Sequence, residues 1–302
     1  MGTDKFALPT LQKIYLNNDF EIVAIYTKEP AIAGRGQKIN YSDIHQFALK
    51  NNLKVLTPKN FKEPSAIAEF NEFKADIAIV ISYGLILPDK ILSGTKFGCF
   101  NIHPSNLPLY RGPSPLQSTL LNGEKNSAIC IIKMDQGVDS GDIVNKIDFS
   151  IADYDDFANI SSFTANSGAE LLIKTLYQIK DNNLSFTPQN HKLATFTKKI
   201  NKDDAKINWH ENAQDIFNKI RALNGNLGAY FEYDNEKIKI LKAEYLSAKN
   251  QNHQSGTILD KNFSVKCQNG VIFPKILQRA GKKPLNLNEF LNGFKPEIGK
   301  IL

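Results

Sequence analysis

The sequence predicts an α/β protein: a mostly parallel sheet with helices on both faces, followed by a small antiparallel β-barrel. Three observations carry this expectation. Over the first two-thirds of the chain, apolar runs of strand length alternate with stretches of helical spacing. One of these runs, DIAIVISY at 76–83, is apolar almost throughout, as a strand buried on both faces must be. Beyond residue 190 the texture changes to short alternating segments with turn signals at Asp234-Asn235 and Asn269-Gly270.

Taken in order, strands are expected over 21–27 (EIVAIYT), 54–57, 76–83, 97–102, 127–134 (SAICIIKM) and 142–149. Helices are expected over 42–50, 64–73, 113–121 and 157–179, the third with Pro113 or Ser114 near its start. The polar stretch KKINKDD at 198–204 reads as a connector. A helix follows over 212–223, with Ile216, Ile220 and Leu223 at helical spacing and Phe217 alongside. Short strands are then expected over 229–233, 237–246, 256–259, 263–267 and 271–278. The chain thus divides into a catalytic domain over 1–190, a linker over 191–207 and a barrel domain over 208–302.

Composition narrows the class. The 302 residues are 42% hydrophobic and 23% charged, as in ordinary globular proteins. No apolar run approaches the roughly 18 residues of a membrane span. The opening Met1-Gly2-Thr3-Asp4-Lys5 is not a basic segment leading into an apolar one, so the expected compartment is the cytoplasm. Cys99, Cys130 and Cys267 are odd in number and far apart, which argues against a disulfide framework or a zinc site. Residues 1–205 carry 22 Lys+Arg and 22 Asp+Glu, whereas residues 206–302 carry 15 and 9. The whole +6 therefore lies in the C-terminal third, and either an acidic partner or a merely lysine-rich surface explains it.

The chemistry concentrates in Asn101-Ile102-His103 and in Asp139. An Asn-x-His pair at a strand end places both side chains on one face, and ligands of parallel sheets bind beyond such ends. Asp139 lies in another turn-rich loop after a strand, Met134 to Asp142. These residue types suit acyl transfer to an amine. The amide of Asn101 and a protonated His103 would stabilise a developing oxyanion, and Asp139 would hold the imidazole and relay the proton lost by the amine. Neither a metal nor a nucleophilic serine is needed. Taken alone, an Asn-x-His pair is more often structural.

The run HPSNLPLYRGPSPLQ at 103–117 resembles the signature of the folate-dependent formyltransferases, and within them the methionyl-tRNA formyltransferases. The resemblance extends to GTDKFALP at 2–9, GRGQK at 34–38, ISYGLILP at 81–88 and the loop from Met134 to Asp142. It continues through Ile200-Asn201-Lys202, Trp209, Ile220-Arg221-Ala222, Gly228-Ala229-Tyr230, Leu277-Gln278, Gly281-Lys282-Lys283 and Phe290-Leu291-Asn292-Gly293. The Asn, His and Asp set belongs to all formyltransferases of this fold; the C-terminal motifs are more specific to the tRNA enzymes.

The resemblance implies a Rossmann-like catalytic domain and an OB-like C-terminal barrel. It implies catalytic roles for Asn101, His103 and Asp139. It implies that 10-formyltetrahydrofolate is the co-substrate, held by Tyr83, Gly84, Leu85, Ile86, Leu87, Ser105, Leu107, Pro108 and Asp139, with the pterin read largely by backbone. The partner implied is initiator methionyl-tRNA. Arg35 and Lys38 would enter at its acceptor end, and Lys275, Arg279, Lys282 and Lys283 would meet its phosphates. The expected protein is a monomeric, bacterial-type cytoplasmic enzyme of translation initiation with no metal. His45, His191, His210 and His253 match no motif and read as structural or exposed.

Three departures stand out. The chain opens at the Gly-Thr loop, so the family's first strand, which sits mid-sheet, is not represented. Either the start is an internal methionine or this is a degraded form; the expectation is the first, with a chain markedly less stable than one extended by roughly ten residues. Asn224-Gly225-Asn226-Leu227-Gly228 replaces the family's Asn-Pro-Trp-Pro-Gly run, and Leu109 stands where a basic residue is common. Rival readings remain: a formyltransferase acting on a nucleotide-linked amino sugar or a purine precursor, a hydrolase releasing formate, or an inactive RNA-binding module.

Overall fold

A computed structural model describes residues 1–33, 38–248 and 252–302. These residues form two compact units. The first comprises Met1–Pro115, Asn126–Ser150 and Ser161–Phe196; the second comprises Leu116–Lys125, Ile151–Ile160 and Thr197–Leu302.

The elements run α1 (Leu8–Tyr15), β1 (Ile25–Tyr26), β2 (Ala31–Ala33), β3 (Lys38–Asn40), α2 (Asp43–Lys50), β4 (Val55–Leu56), α3 (Pro64–Glu72), β5 (Ala78–Val80), α4 (Asp89–Leu92), β6 (Cys99–His103), α5 (Pro115–Leu121), β7 (Asn126–Lys133), β8 (Ile143–Ser150) and α6 (Phe157–Lys180). Local chemistry explains the helix starts. Ser42 caps α2 by accepting from the His45 amide at 3.1 Å. Prolines stand in the first turns of α1 and α3, where a missing N–H costs nothing.

In the first unit β1 pairs with β4 and β5 with β6, both parallel. The expected parallel pairing is therefore present, but the far side of the sheet differs: β7 and β8 are antiparallel to their neighbours. The 134–142 connection between them is too short for a parallel crossover. The strand expected over 21–27 is limited to Ile25 and Tyr26, the residues that find partners on β4. Met1 and Gly2 lie between β1 and the end of β5. Gly2 donates its N–H to the Tyr26 carbonyl and Ile81 donates to the Met1 carbonyl, each at 2.9 Å.

The period of two along β6 sets the architecture of the site. Phe100 and Ile102 enter the cluster that holds Ile129, Ile131, Leu171, Leu172 and Leu176. There α6 approaches so closely that a Cβ on Gly168 would stand 2.8 Å from Ile102 Cγ2. Cys99, Asn101 and His103 point the other way. Cys99 joins Tyr26, Phe61, Phe70, Val80 and Tyr83 in a second cluster, leaving Asn101 and His103 at the strand's carboxyl end.

The second unit adds α7 (Ala213–Leu223), β9 (Ala229–Tyr233), β10 (Glu236–Ser247), β11 (Val265–Cys267), β12 (Gly270–Arg279), β13 (Leu285–Asn286) and α8 (Leu287–Asn292). Its antiparallel half-barrel has the order β11-β12-β10-β9, with β13 on β12. The strand expected over 256–259 is reduced to isolated bridges, Thr257 to Ile301 and Ile258 to Val265. The apolar face of α7, Ile216, Ile220 and Leu223, packs with Trp209, Phe231, Ile238, Ile240, Phe263, Ile272 and Phe290. Phe263 and Phe294 stack at 5.6 Å. Segment 151–160 is tied to α7 by Arg221 Nη1 donating to Ala152 O at 3.3 Å and Asn224 Nδ2 to Asp156 Oδ2 at 2.7 Å. Among the described residues no helix is long and apolar enough to cross a membrane.

Candidate active site

His103 ends β6 and is 3% exposed. Its Nε2 lies 3.0 Å from the Tyr110 carbonyl, which can only accept, so that nitrogen carries the hydrogen. Its Nδ1 faces Asp139 Oδ2 at 3.5 Å. Asn101, two residues earlier on the same face, donates from Nδ2 to Asp139 Oδ1 at 3.2 Å. The other carboxylate oxygen accepts the Gly112 N–H at 2.8 Å. Three residues from two distant segments thus converge, with Asp139 as their common partner.

Two loops set this geometry. The first leaves β6 at Pro104 and folds on itself: Ser105 Oγ donates to the Leu109 carbonyl at 2.7 Å, and the Leu107–Pro108 peptide is cis. Tyr110 takes a left-handed conformation (φ 62), and its carbonyl meets the imidazole. The second loop joins β7 to β8. Ser140 Oγ and the Gly137 amide both donate to Asp135 Oδ1, at 2.6 and 3.0 Å. Asp139 is left-handed as well (φ 48), a conformation uncommon for residues with a side chain though better tolerated by aspartate than by most. Gly141 passes so close to β7 that a Cβ there would stand 1.8 Å from the Lys133 carbonyl oxygen, so only glycine fits.

Residues without an assigned role in the sequence hold the two loops. Gln189 Oε1 accepts from Arg111 Nε and Nη2 at 3.1 and 2.6 Å. Its Nε2 donates to the carbonyls of Asp139 and Gly141 at 2.9 and 2.7 Å. Arg111 Nη2 also meets His191 Nδ1 at 3.2 Å; that histidine, expected to be structural or exposed, is exposed and makes this contact. Thr195 Oγ1 accepts the Tyr110 amide at 2.8 Å, and Thr195 O accepts the Arg111 amide at 2.9 Å. Arg111 stood inside the recognisable run, but nothing local marked Gln189 or Thr195.

The folate candidates fall into two groups. Tyr83 turns its ring into the core beside Phe61, and its buried hydroxyl has no partner. Burial also holds that phenol well above its ordinary ionisation range. What this stretch presents outward is the Ile86 side chain together with unpaired backbone. Gly84 is left-handed (φ 76), Ile86 is 93% exposed, and among the described residues no peptide group of 84–87 pairs with another. Ser105 and Leu107 are buried: the Ser105 hydroxyl is used within its own loop, and Leu107 packs on Ala128, Cys130 and Ile132. Pro108 joins the scaffold by accepting the Thr195 amide at 3.3 Å.

The basic candidates are also unequal. Arg35 lies outside the described residues, and Lys38 opens β3 opposite Ala33. Arg279 is engaged by Glu236, Nη2 to Oε2 at 2.7 Å, which holds the Glu236 carboxyl below its ordinary range. Lys275 pairs with Glu244 at 2.9 Å. Lys282 and Lys283 join Arg279, Leu285, Glu289 and Phe290 around a cleft of about 330 Å³ in the second unit.

Residues 2–176 match the model of the formyl transferase family, and residues 199–295 match that of the formyl transferase C-terminal domain. The chain is 43% identical over 302 residues to the methionyl-tRNA formyltransferase of Rickettsia bellii, covering 100% of this chain and 98% of that one. An N-formyltransferase from Helicobacter canadensis, solved with folinic acid and dTDP-3-aminofucose, superposes with a TM-score of 0.69 at 24% identity. It covers 90% of this chain and 97% of its own. The methionyl-tRNA formyltransferase from Clostridium thermocellum gives 0.52 at 20% identity, over 74% and 93% of the two chains.

Proposed function

The chain belongs to the formyl transferase family, and from that premise we propose that it moves the formyl group of 10-formyltetrahydrofolate onto the amino group of initiator methionyl-tRNA. The observation that carries the reading is the convergence on Asp139: Asn101 and Gly112 hold its two oxygens while Nδ1 of His103 faces it at 3.5 Å. The likeness to the Rickettsia bellii enzyme along the whole chain supports the substrate.

The folate, when bound, supplies an activated formyl group. The peptide groups of Gly84–Leu87, which pair with no other backbone among the described residues, suit a pterin, whose edge offers donors and acceptors as a nucleobase does. Ser105, Leu107 and Pro108 support that side of the site through the fold of their loop rather than through free side chains.

Within this reading the residues divide the work. Tyr110 fixes the His103 ring through Nε2, so proton handling falls to Nδ1. A protonated Nδ1 and the Asn101 amide meet the negative charge that develops on the formyl oxygen as the amine adds. Asp139, anchored at both oxygens, orients the imidazole and takes up the proton that the amine loses, which then goes to the tetrahydrofolate nitrogen as its bond to the formyl carbon breaks. All three side chains come from one chain, which fits a monomer. The surplus of 15 basic over 9 acidic residues in 206–302 suits the phosphates of tRNA, with Lys282 and Lys283 the most available contacts. A reaction on charged tRNA fits a bacterial cytoplasm.

The test offers labelled 10-formyltetrahydrofolate with methionyl-tRNA and, separately, with a nucleotide-linked amino sugar. Label on the tRNA alone is expected. Label on the sugar would move the substrate assignment to the sugar enzymes, and label released only as formate would make the protein a hydrolase.

A further inference from the structure

We infer that Gln189 is a positioning residue, acting through the Asp139 loop to aim the carboxylate at His103. The inference rests on the reading of the Asn101, His103 and Asp139 site given above.

The argument begins with hydrogen-bond capacity. A glutamine amide offers two donors and two acceptor lone pairs. Gln189 is 6% exposed and uses all four: two donations to the carbonyls of Asp139 and Gly141, and two acceptances from Arg111. The Arg111 guanidinium has no acceptor, so it forces Oε1 to its own side and the NH2 group toward the loop. Amide orientation is thereby set by charge.

The consequence falls on Asp139. Its left-handed backbone is one that few residues with a Cβ adopt, aspartate among them. Fixing the carbonyls of 139 and 141 fixes the 139–140 and 141–142 peptide planes, which flank Ser140-Gly141, and with the first of them the backbone that aims the Asp139 side chain. The same clamp reaches the opposite wall of the site. Arg111 stands between Tyr110, whose carbonyl holds His103 Nε2, and Gly112, whose amide holds Asp139 Oδ2. Gln189 therefore ties the segment that orients the imidazole to the loop that carries its carboxylate partner. Misplacing a catalytic group by about 1 Å costs on the order of a hundredfold in rate.

Gln189→Glu separates this role from simple packing. The variant keeps the volume and strengthens the pair with Arg111, but turns one carboxylate oxygen, in the place of Nε2, toward two carbonyls. Formyl transfer by the purified full chain should show kcat lowered by about tenfold or more, with KM for methionyl-tRNA changed by less than about threefold. A kcat within about threefold of the parent would overturn the role. Gln189→Met, of similar length and uncharged, carries the same test if the Glu variant does not fold. A cycle with Asp139→Asn adds a second readout. If Gln189 acts through Asp139, its substitution costs little in that background, whereas a fully additive loss would overturn the inference. An inactive parent would sink the formyl-transfer reading together with this role; an active parent with indifferent variants would sink the role alone.

Discussion

Nδ1 of His103 lies 3.5 Å from Oδ2 of Asp139, and the same oxygen accepts the Gly112 amide at 2.8 Å. The carboxylate is therefore held by the backbone before it meets the imidazole. Asp139→Asn removes the charge and keeps the shape. It should lower kcat by on the order of a hundredfold while the melting temperature stays near the parent's, as steady-state kinetics and thermal unfolding will read. A variant with parental kcat would exclude Asp139 from proton handling.

Asn101 adds the second donor. Asn101→Ala should cost on the order of a hundredfold in kcat, as expected for the loss of a group that meets developing charge. The loss should appear in kcat rather than in KM, because the interaction strengthens only as the reaction proceeds. An effect confined to KM would make Asn101 a binding residue only.

Gly141→Ala tests the Asp139 loop from its backbone. The new methyl would collide with the Lys133 carbonyl, a backbone atom that cannot step aside without disturbing β7. Overpacking of this kind costs about 1–3 kcal/mol, and thermal unfolding should register it as a lower melting temperature. Activity should fall further than stability does, because the loop carries Asp139. An active, equally stable variant would contradict the loop geometry.

How much of this was open to a reader of the sequence depends on the range of the interaction. The buried strands β5 and β7 are legible because the apolar runs at 76–83 and 127–134 are what strands buried on both faces show. Asn101 and His103 are legible because period two puts them on one face. Gln189, Arg111 and Thr195 act through hydrogen bonds across many residues of chain, and such bonds leave no local pattern. The antiparallel course of β7 and β8 is hidden for a similar reason: strand direction is decided by the connection, not by the strand's own residues. Likewise Lys275 and Arg279 read as free cations until Glu244 and Glu236 are seen beside them.

Lys282 and Lys283 should therefore matter more for tRNA than Lys275. The double variant Lys282→Ala/Lys283→Ala should weaken tRNA binding and flatten the slope of log K against log salt by about one to two units, read by binding titrations across salt concentrations. Lys275→Ala should change the slope less. An unchanged slope in the double variant would remove this cleft from the tRNA surface.

All three thiols are buried, and burial pushes Cys99 and Cys130 up to about 11 and Cys267 up to about 12. The native protein should react slowly with a thiol-specific disulfide reagent at pH 8, and the denatured chain should release three equivalents. The sign for stability follows. The unfolded chain loses these protons first, so it binds fewer protons than the native state above about pH 9, and stability falls as pH climbs toward 11. Rapid labelling of the native protein at pH 8 would contradict the burial of these residues.

The central claim is most directly tested by the chemical identity of the product. The purified chain and its His103→Ala variant are each given 10-formyltetrahydrofolate and methionyl-tRNA. The ester is then hydrolysed and the released amino acid identified by mass. We expect N-formylmethionine from the parent and on the order of a hundredfold less from the variant. Unmodified methionine from the parent, or equal N-formylmethionine from both, would contradict the account.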